Sequence, residues 1–181
     1  MEVICTNSDI SQTESNSGAG GHGSVDLGKG ATERAPQFVN PPLDDYRELA
    51  TSPTVNTGAK DPSKDADLAG LPRTLGSAPD MGAYEYAEKP TITHVTAKPA
   101  SKSSIKVTAT IDPQGLPASV IAVATRGRVS IRSGRVKVTG DKGKREVIVI
   151  KGLKRRAGYR VDVVATNNAG QTTSHTVKAT A

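Results

Sequence analysis

The chain has 181 residues, of which 35% are hydrophobic and 3% aromatic, and a net charge of +6. That length permits one or two domains with cores of their own, but the longest run of Val, Ile and Leu alone, VIVI at 147–150, is far short of the ~20 residues that cross a bilayer as a helix. One cysteine, Cys5, excludes an internal disulfide and a cysteine-built metal site, so cysteine usage leaves the compartment open.

The charge is unevenly spread. Residues 1–87 carry 6 Lys/Arg against 13 Asp/Glu, and residues 88–181 carry 18 against 5. A break of that size near residue 88 predicts two domains, 1–87 and 88–181.

The chain starts MEVICTNSDISQTESNSGAGG, with neither the basic leader nor the apolar stretch of ~7–15 residues that mark a signal peptide. Residues 1–35 are polar and Gly-rich, show no apolar period, and read as irregular. Four short segments follow in order: PQFV at 36–39, DYREL at 45–49 with Glu48 as an inserted residue, SPTVNTG at 52–58, and DMGAYE at 80–85. Together they resemble the C-terminal end of secreted right-handed parallel β-helix proteins, the pectate-lyase-like solenoids. The resemblance implies that residues 1–87 are a largely irregular β-helix cap. Its earlier coils would lie upstream of Met1, because a solenoid end needs neighbouring coils to cover its apolar face. It also gives Asp80 and Glu85 the structural task of holding the closing turn through backbone amides.

From residue 88 the grammar changes. Seven segments, PTITHVTAKPA, SSIKVTATID, ASVIAVATRG, RVSIRSGRVKVTG, REVIVIKGL, GYRVDVVATN and TTSHTVKAT, alternate with turn formers such as DPQG, TGDKG and NNAG. Of the 23 Val, Ile, Leu, Met, Phe and Tyr residues here, 13 are Val and 7 are Ile, and branching at Cβ favours strands. The pattern predicts an all-β fold, an antiparallel immunoglobulin-like sandwich of about seven strands.

The only aromatic residue of 88–181 is Tyr159. In Tyr159-Arg160-Val161-Asp162-Val163, alternation sends Tyr and both valines to one face and the charges to the other. With Leu153 six residues upstream, the stretch resembles the tyrosine corner of sandwich domains, where the ring enters the core and its hydroxyl bonds nearby backbone. The wider pattern, IDPQGLPASVIAVATRG and IKGLKRRAGYRVDVVATNNAGQTTS, resembles a bacterial extracellular fibronectin type III domain. It departs from that family in lacking the large aromatic of an early strand, for which Ile105 or Val107 would substitute.

Sites of chemistry are sparse. DADLAG at 65–70 lacks the third acidic position and the bidentate Glu of a calcium loop, and reads as a solvated turn. LPRTL at 71–75 has Leu75 where a sortase signal requires Gly. His22, His94 and His175 have no partner at metal-ligand spacing, and GHGS at 21–24 lacks the strand-to-helix setting of a nucleophile elbow. Asp44, Asp45, Asp80 and Glu85 are acid–base candidates by type alone. The sequence therefore implies no catalytic residue, metal or cofactor in this chain.

The candidate contact surface is basic. Arg126, Arg128, Arg132, Arg135 and Lys137 fall on two adjoining segments, with Lys142, Lys144, Lys151, Lys154, Arg155 and Arg156 in neighbouring turns. Such a surface attracts polyanions, or it is a solvated face that discourages strand edges from pairing. Acidic polysaccharide or cell-wall polymer is the expected partner. Nucleic acid is disfavoured because single-strand readers stack bases on exposed aromatics. The resemblance places the protein outside the cell or on its surface, with the sandwich as a non-catalytic spacer or attachment module. The competing reading is the tail of a polysaccharide lyase or hydrolase whose catalytic coils lie upstream.

Overall fold

The structure, a computed structural model, describes residues 2–5, 24–27, 29–60, 66–140 and 142–181. His22 and Asp65 lie outside the described residues. The fold is all-β, its sheets antiparallel apart from one two-stranded parallel ladder, and the described residues contain no α-helix, closed barrel or stacked solenoid. The chain divides into two compact units, Met1–Tyr86 and Ala87–Ala181.

In the first unit, β1 (Glu2–Cys5) and β2 (Ser24–Leu27) pair in parallel, from Glu2 opposite Ser24 to Cys5 opposite Leu27. The region that reads as irregular thus holds two strands. Each is four residues long, too short to show a period in the sequence. A hairpin follows, with β3 (Phe38–Asn40) antiparallel to β4 (Asp45–Glu48). Its turn is a single 3-10 turn at Pro41–Leu43, closed by left-handed Asp44 at φ 57°, whose amide donates to the Pro41 carbonyl over 3.0 Å. Phe38 and Tyr46 meet edge to face, with ring centres 5.6 Å apart.

The buried side chains described in this unit are mostly polar. Among its described residues Glu48, Ser52, Thr54, Asp67, Asp80 and Glu85 are buried, against Leu71 as the one large apolar side chain. Hydrogen bonds to carboxylates and close backbone contacts therefore do the work that apolar packing does elsewhere. Gly58 shows how tight the contacts are: a Cβ there would lie 2.9 Å from the carbonyl oxygens of Pro79 and Asp80.

The second unit has nine strands: β5 (Thr91–Ser101), β6 (Ser104–Asp112), β7 (Ala118–Arg126), β8 (Val129–Arg132), β9 (Val136–Val138), β10 (Lys144–Ile150), β11 (Gly158–Asn167), β12 (Gly170–Thr173) and β13 (Val177–Thr180). One sheet runs β10–β6–β5. The other runs β12–β11–β7–β8, with β13 also on β11 and β9 also on β7. All of these pairings are antiparallel.

Two of the seven segments expected from the sequence are each split in two, and one device splits both. Ser133 donates its amide to the Ala122 carbonyl over 2.8 Å while its Oγ accepts the Ala122 amide over 2.9 Å. Ser174 does the same to Val163, over 2.8 and 2.9 Å. A side-chain oxygen thus takes over an acceptor position of the ladder, and the edge strand breaks without leaving the amide unpaired.

Both sheets contribute to one apolar cluster, which includes Ile105, Val107 and Ile111 of β6, Ile150 of β10, Val120 and Ala122 of β7, and Val161 and Val163 of β11. Alternation is strict on β7, where residues 118, 120, 122 and 124 are buried. Ile105 and Val107, the expected substitutes for a missing aromatic, are fully buried. Tyr159 is 6% exposed, and its hydroxyl accepts the Lys154 amide over 2.8 Å. Leu153 is buried beside it and donates its amide to the Ser103 carbonyl over 2.9 Å. At the other end of β11 the buried Asn167 donates to the carbonyls of Glu88 and Pro113 and accepts the amides of Ala169 and Gly170.

Tyr159→Phe should cost about 1–2 kcal/mol in denaturant unfolding, because the Lys154 amide loses its acceptor at a partly buried position. Tyr159→Ala should cost about 3–5 kcal/mol through the cavity it leaves. A Phe variant as stable as the parent would show that the hydroxyl bond holds nothing.

Candidate functional site

Of the acid–base candidates in the first unit, Asp45, Asp80 and Glu85 have their carboxylates engaged. Asp44 is exposed. Asp45 forms an ion pair with Arg47 at 2.6 Å, and hydrogen bonding from that guanidinium holds its carboxyl below the usual range. Asp80 accepts the Asn56 amide on Oδ1 over 2.6 Å and the Tyr86 amide on Oδ2. Glu85 takes the Asp80 amide over 2.9 Å and Arg73 Nη1 over 2.8 Å, both on Oε1.

Asp67 differs from the solvated turn that DADLAG suggests. It is buried, and its carboxylate accepts the amides of Ala69 and Leu71 on Oδ1 and of Glu85 on Oδ2, over 2.9, 2.7 and 2.8 Å. Glu48, the inserted residue of the second motif, is also buried and accepts the Thr54 hydroxyl over 2.7 Å. Sequence reasoning missed Asp67, Glu48, Thr54 and Arg73, because nothing in a short polar segment distinguishes a buried carboxylate from a solvated one. These groups close turns. The carboxylates of Asp67, Asp80 and Glu85 accept backbone amides, an arrangement suited to holding backbone.

Burial pushes the Glu85 carboxyl above the ordinary value of 4.5; the Asp80 amide bond and the Arg73 charge oppose this, and the Asp80 charge adds to it.

The histidines and the basic residues fall elsewhere. His94 is exposed, with Nδ1 3.1 Å from the Thr93 hydroxyl, and His175 is exposed. Among the described residues no three His, Cys, Asp or Glu side chains come together as a metal site, and no helix is long and apolar enough to cross a membrane.

Arg126, Arg128, Arg132, Arg135, Lys137, Lys154, Arg155 and Arg156 are all exposed, but they do not share one face. Arg132 is opposite Val123 and Lys137 opposite Ser119, which puts both on the outer face of their sheet. Arg135 lies in the β8–β9 link. Arg126 and Arg128 flank the turn at the end of β7. Lys154, Arg155 and Arg156 lead into β11, and the Arg156 amide donates to the Ala181 carbonyl just past β13, over 2.7 Å.

That shared strand end holds an open pocket of about 430 Å³. Its lining includes Arg126, Arg160 and Lys178. Arg160 is directly opposite Lys178 on β13 and Thr125 on β7. Ion pairs among the described residues join Arg47 to Asp45 and Arg73 to Glu85, and none involves these three cations. The nearest acid along β11, Asp162, is engaged by the Thr176 hydroxyl at 2.5 Å. Arg160 and Lys178 were not among the candidates. The outward position of Arg160 follows from alternation, whereas its partner becomes visible only once β13 is paired with β11.

No protein-family model and no curated protein matches the chain.

Two outcomes test the carboxylate roles. Asp67→Ala should destabilise the first unit by about 2–4 kcal/mol, since three amides lose a charged acceptor; a solvated turn would lose no more than about 0.5 kcal/mol. For Glu85 the folded protein binds the proton more tightly than the unfolded chain. Its contribution to stability is full below the ordinary value of 4.5 and is lost as pH rises through the raised value. Unfolding midpoints at about pH 4 and about pH 7 should therefore show Glu85→Gln gaining on the parent as pH rises. A constant difference, or one of opposite sign, would contradict this.

Proposed function

We propose that the second unit is a fibronectin type III-like sandwich that serves as a non-catalytic attachment or spacer module of a secreted or cell-surface protein and engages acidic polymer. The observation that carries this reading is the exposed, unpaired display of its basic side chains, Arg126, Arg128, Arg132, Arg135, Lys137, Lys154, Arg155 and Arg156, on a frame whose alternate residues are committed to a core. An excess of one sign without internal partners raises the local concentration of polyanions and speeds their encounter. The fibronectin type III part is supported by the three-stranded sheet facing a common core with the larger one, and by the Tyr159 hydroxyl on the Lys154 amide.

For the first unit the proposed role is the closing cap of a parallel β-helix. Its four motif segments meet through hydrogen bonds: the Gln37 amide donates to Ser52 Oγ, the Thr54 hydroxyl to Glu48, and the Asn56 amide to Asp80. The β1–β2 ladder also keeps a constant offset of 22 residues, from Glu2 opposite Ser24 onward. A parallel pair at that spacing is what successive coils of a solenoid produce. The same geometry serves the tail of a polysaccharide lyase or hydrolase, in which the chemistry would belong to other coils.

Retention of the full chain on an immobilised polyuronate gives the test. The chain should be held at about 20 mM salt and released by about 500 mM, since exposed charges separated by more than about 10 Å are screened already near 0.1 M. A neutral glucan should hold none of it. Equal retention on both supports, or on neither, would remove the attachment role.

A further inference from the structure

Resting on that attachment reading, we infer that the strand-end pocket at Arg160, Lys178 and Arg126 is a specific site for an oxyanion carried on a sugar ring, a unit of an acidic polysaccharide. Three features of the geometry point to it.

The first is the facing of like charges. Arg160 and Lys178 are directly opposed across the β11–β13 ladder, which brings their Cβ atoms within about 5.5 Å, a destabilising arrangement for like charges that a bound anion would relieve. Arg126, at the end of the next strand, also lines the pocket. Arginine suits this place because its planar fork takes a carboxylate or sulfate through two parallel hydrogen bonds.

The second is how the pocket opens. The β11–β13 ladder runs on to Gly158 opposite Thr180, whereas the β11–β7 ladder stops at Arg160 opposite Thr125. There β7 turns away through Gly127, at φ 59°. A Cβ added at Gly127 or Gly158 would meet nothing within 4 Å, so space is left beside the cations. At about 430 Å³ the pocket falls within the roughly 300–1,000 Å³ typical of small-molecule sites, far more than an inorganic anion needs.

The third is what borders the cations. The same cross-strand row continues from Arg160 to Thr125 and on to Ser130, whose hydroxyls lie 2.9 Å apart. Four strands at ~4.8 Å spacing make a row about 14 Å long, with hydroxyls at one end and cations at the other. That matches a chain bearing both hydroxyls and acidic groups. The one aromatic of this unit is buried, so the row offers no stacking platform for nucleic-acid bases.

The experiment compares two charge-matched double variants of the full chain, Arg160→Gln with Lys178→Gln and Arg132→Gln with Lys137→Gln. All four side chains are exposed, so both variants should fold as the parent does. Titration uses a defined oligogalacturonate, a sulfated oligosaccharide of equal charge, and a single-stranded oligonucleotide. The pocket variant should lose affinity for the better-bound sugar about tenfold or more, while the outer-face variant loses less than about threefold, as expected when charge-assisted hydrogen bonds are removed from a site and not merely from the field around it. Amide shifts in the parent should cluster at Gly127, Gly158 and Ala179, and the tighter of the two sugars identifies the oxyanion. Equal losses in both variants, or an oligonucleotide bound as tightly as the sugars, would overturn the site and leave the attachment role standing. A parent chain that binds neither sugar at low salt would remove both.

Discussion

Strand β11 is the constraint on which the rest of the second unit depends. It pairs with β7 along one edge and with β12 and β13 along the other. It also supplies Tyr159, Val161, Val163 and Ala165 to the shared core. Because side chains alternate with a period of two, a slip of one residue would send Arg160 and Asp162 inward and expose the ring and the valines. Burying a single valine contributes about 1.5–3 kcal/mol, so the slipped register would forfeit several such terms and bury charge as well. The hydroxyl of Tyr159 on the Lys154 amide and the carboxamide of Asn167 on Glu88 and Pro113 then fix the strand at its two ends.

The first unit is held by different physics. Asp67, Asp80 and Glu85 lie within a stretch of 19 residues, and each receives backbone amides. A buried carboxylate costs several kcal/mol in lost hydration and repays it only when its lone pairs are filled. Here they are filled by amides that the irregular chain would otherwise leave unpaired. That arrangement explains how a segment with 18 Val, Ile, Leu, Met, Phe or Tyr residues in 87 can define turns at all. It also explains why Gly58 sits against the carbonyls of Pro79 and Asp80, where no side chain fits.

The strands of the second unit were legible because their signal is local. Segments rich in β-branched residues between turn formers correspond to β5 through β13, and the burial of Tyr159, Ile105 and Val107 follows from alternation. The breaks at Ser133 and Ser174 were not legible, since a serine in a strand looks the same whether its oxygen faces water or replaces a carbonyl. In the first unit the depth of Asp67 and Glu48 was not readable, since it depends on donors that only the folded chain brings up, the Glu85 amide to Asp67 and the Thr54 hydroxyl to Glu48. The parallel pairing of β1 with β2 was hidden for the same reason. For the pocket, Arg126 was visible as one of many cations. Arg160 and Lys178 became notable only through a pairing that sequence order does not display.

The edges and the charges of the second unit work together. β8–β9 and β12–β13 form the two borders of the larger sheet, and each is interrupted by its serine, which shortens the run of open backbone available to another chain. Lysine and arginine on β8, β9 and β13 add electrostatic repulsion between like edges. Those devices account for charge spread along the borders, as with Arg132 and Lys137. They do not account for Arg160, which lies on the interior strand β11, between β7 and β13, where no edge needs protecting. A cation kept on a central strand directly opposite another cation lowers stability in the free protein, and the acid on the same face of β11, Asp162, stands two residues along and is bound by the Thr176 hydroxyl. Such a cost is sustained most readily where a ligand supplies the missing negative charge, and the interior position of Arg160 therefore separates a binding role for the pocket from the protective role of the surrounding charges.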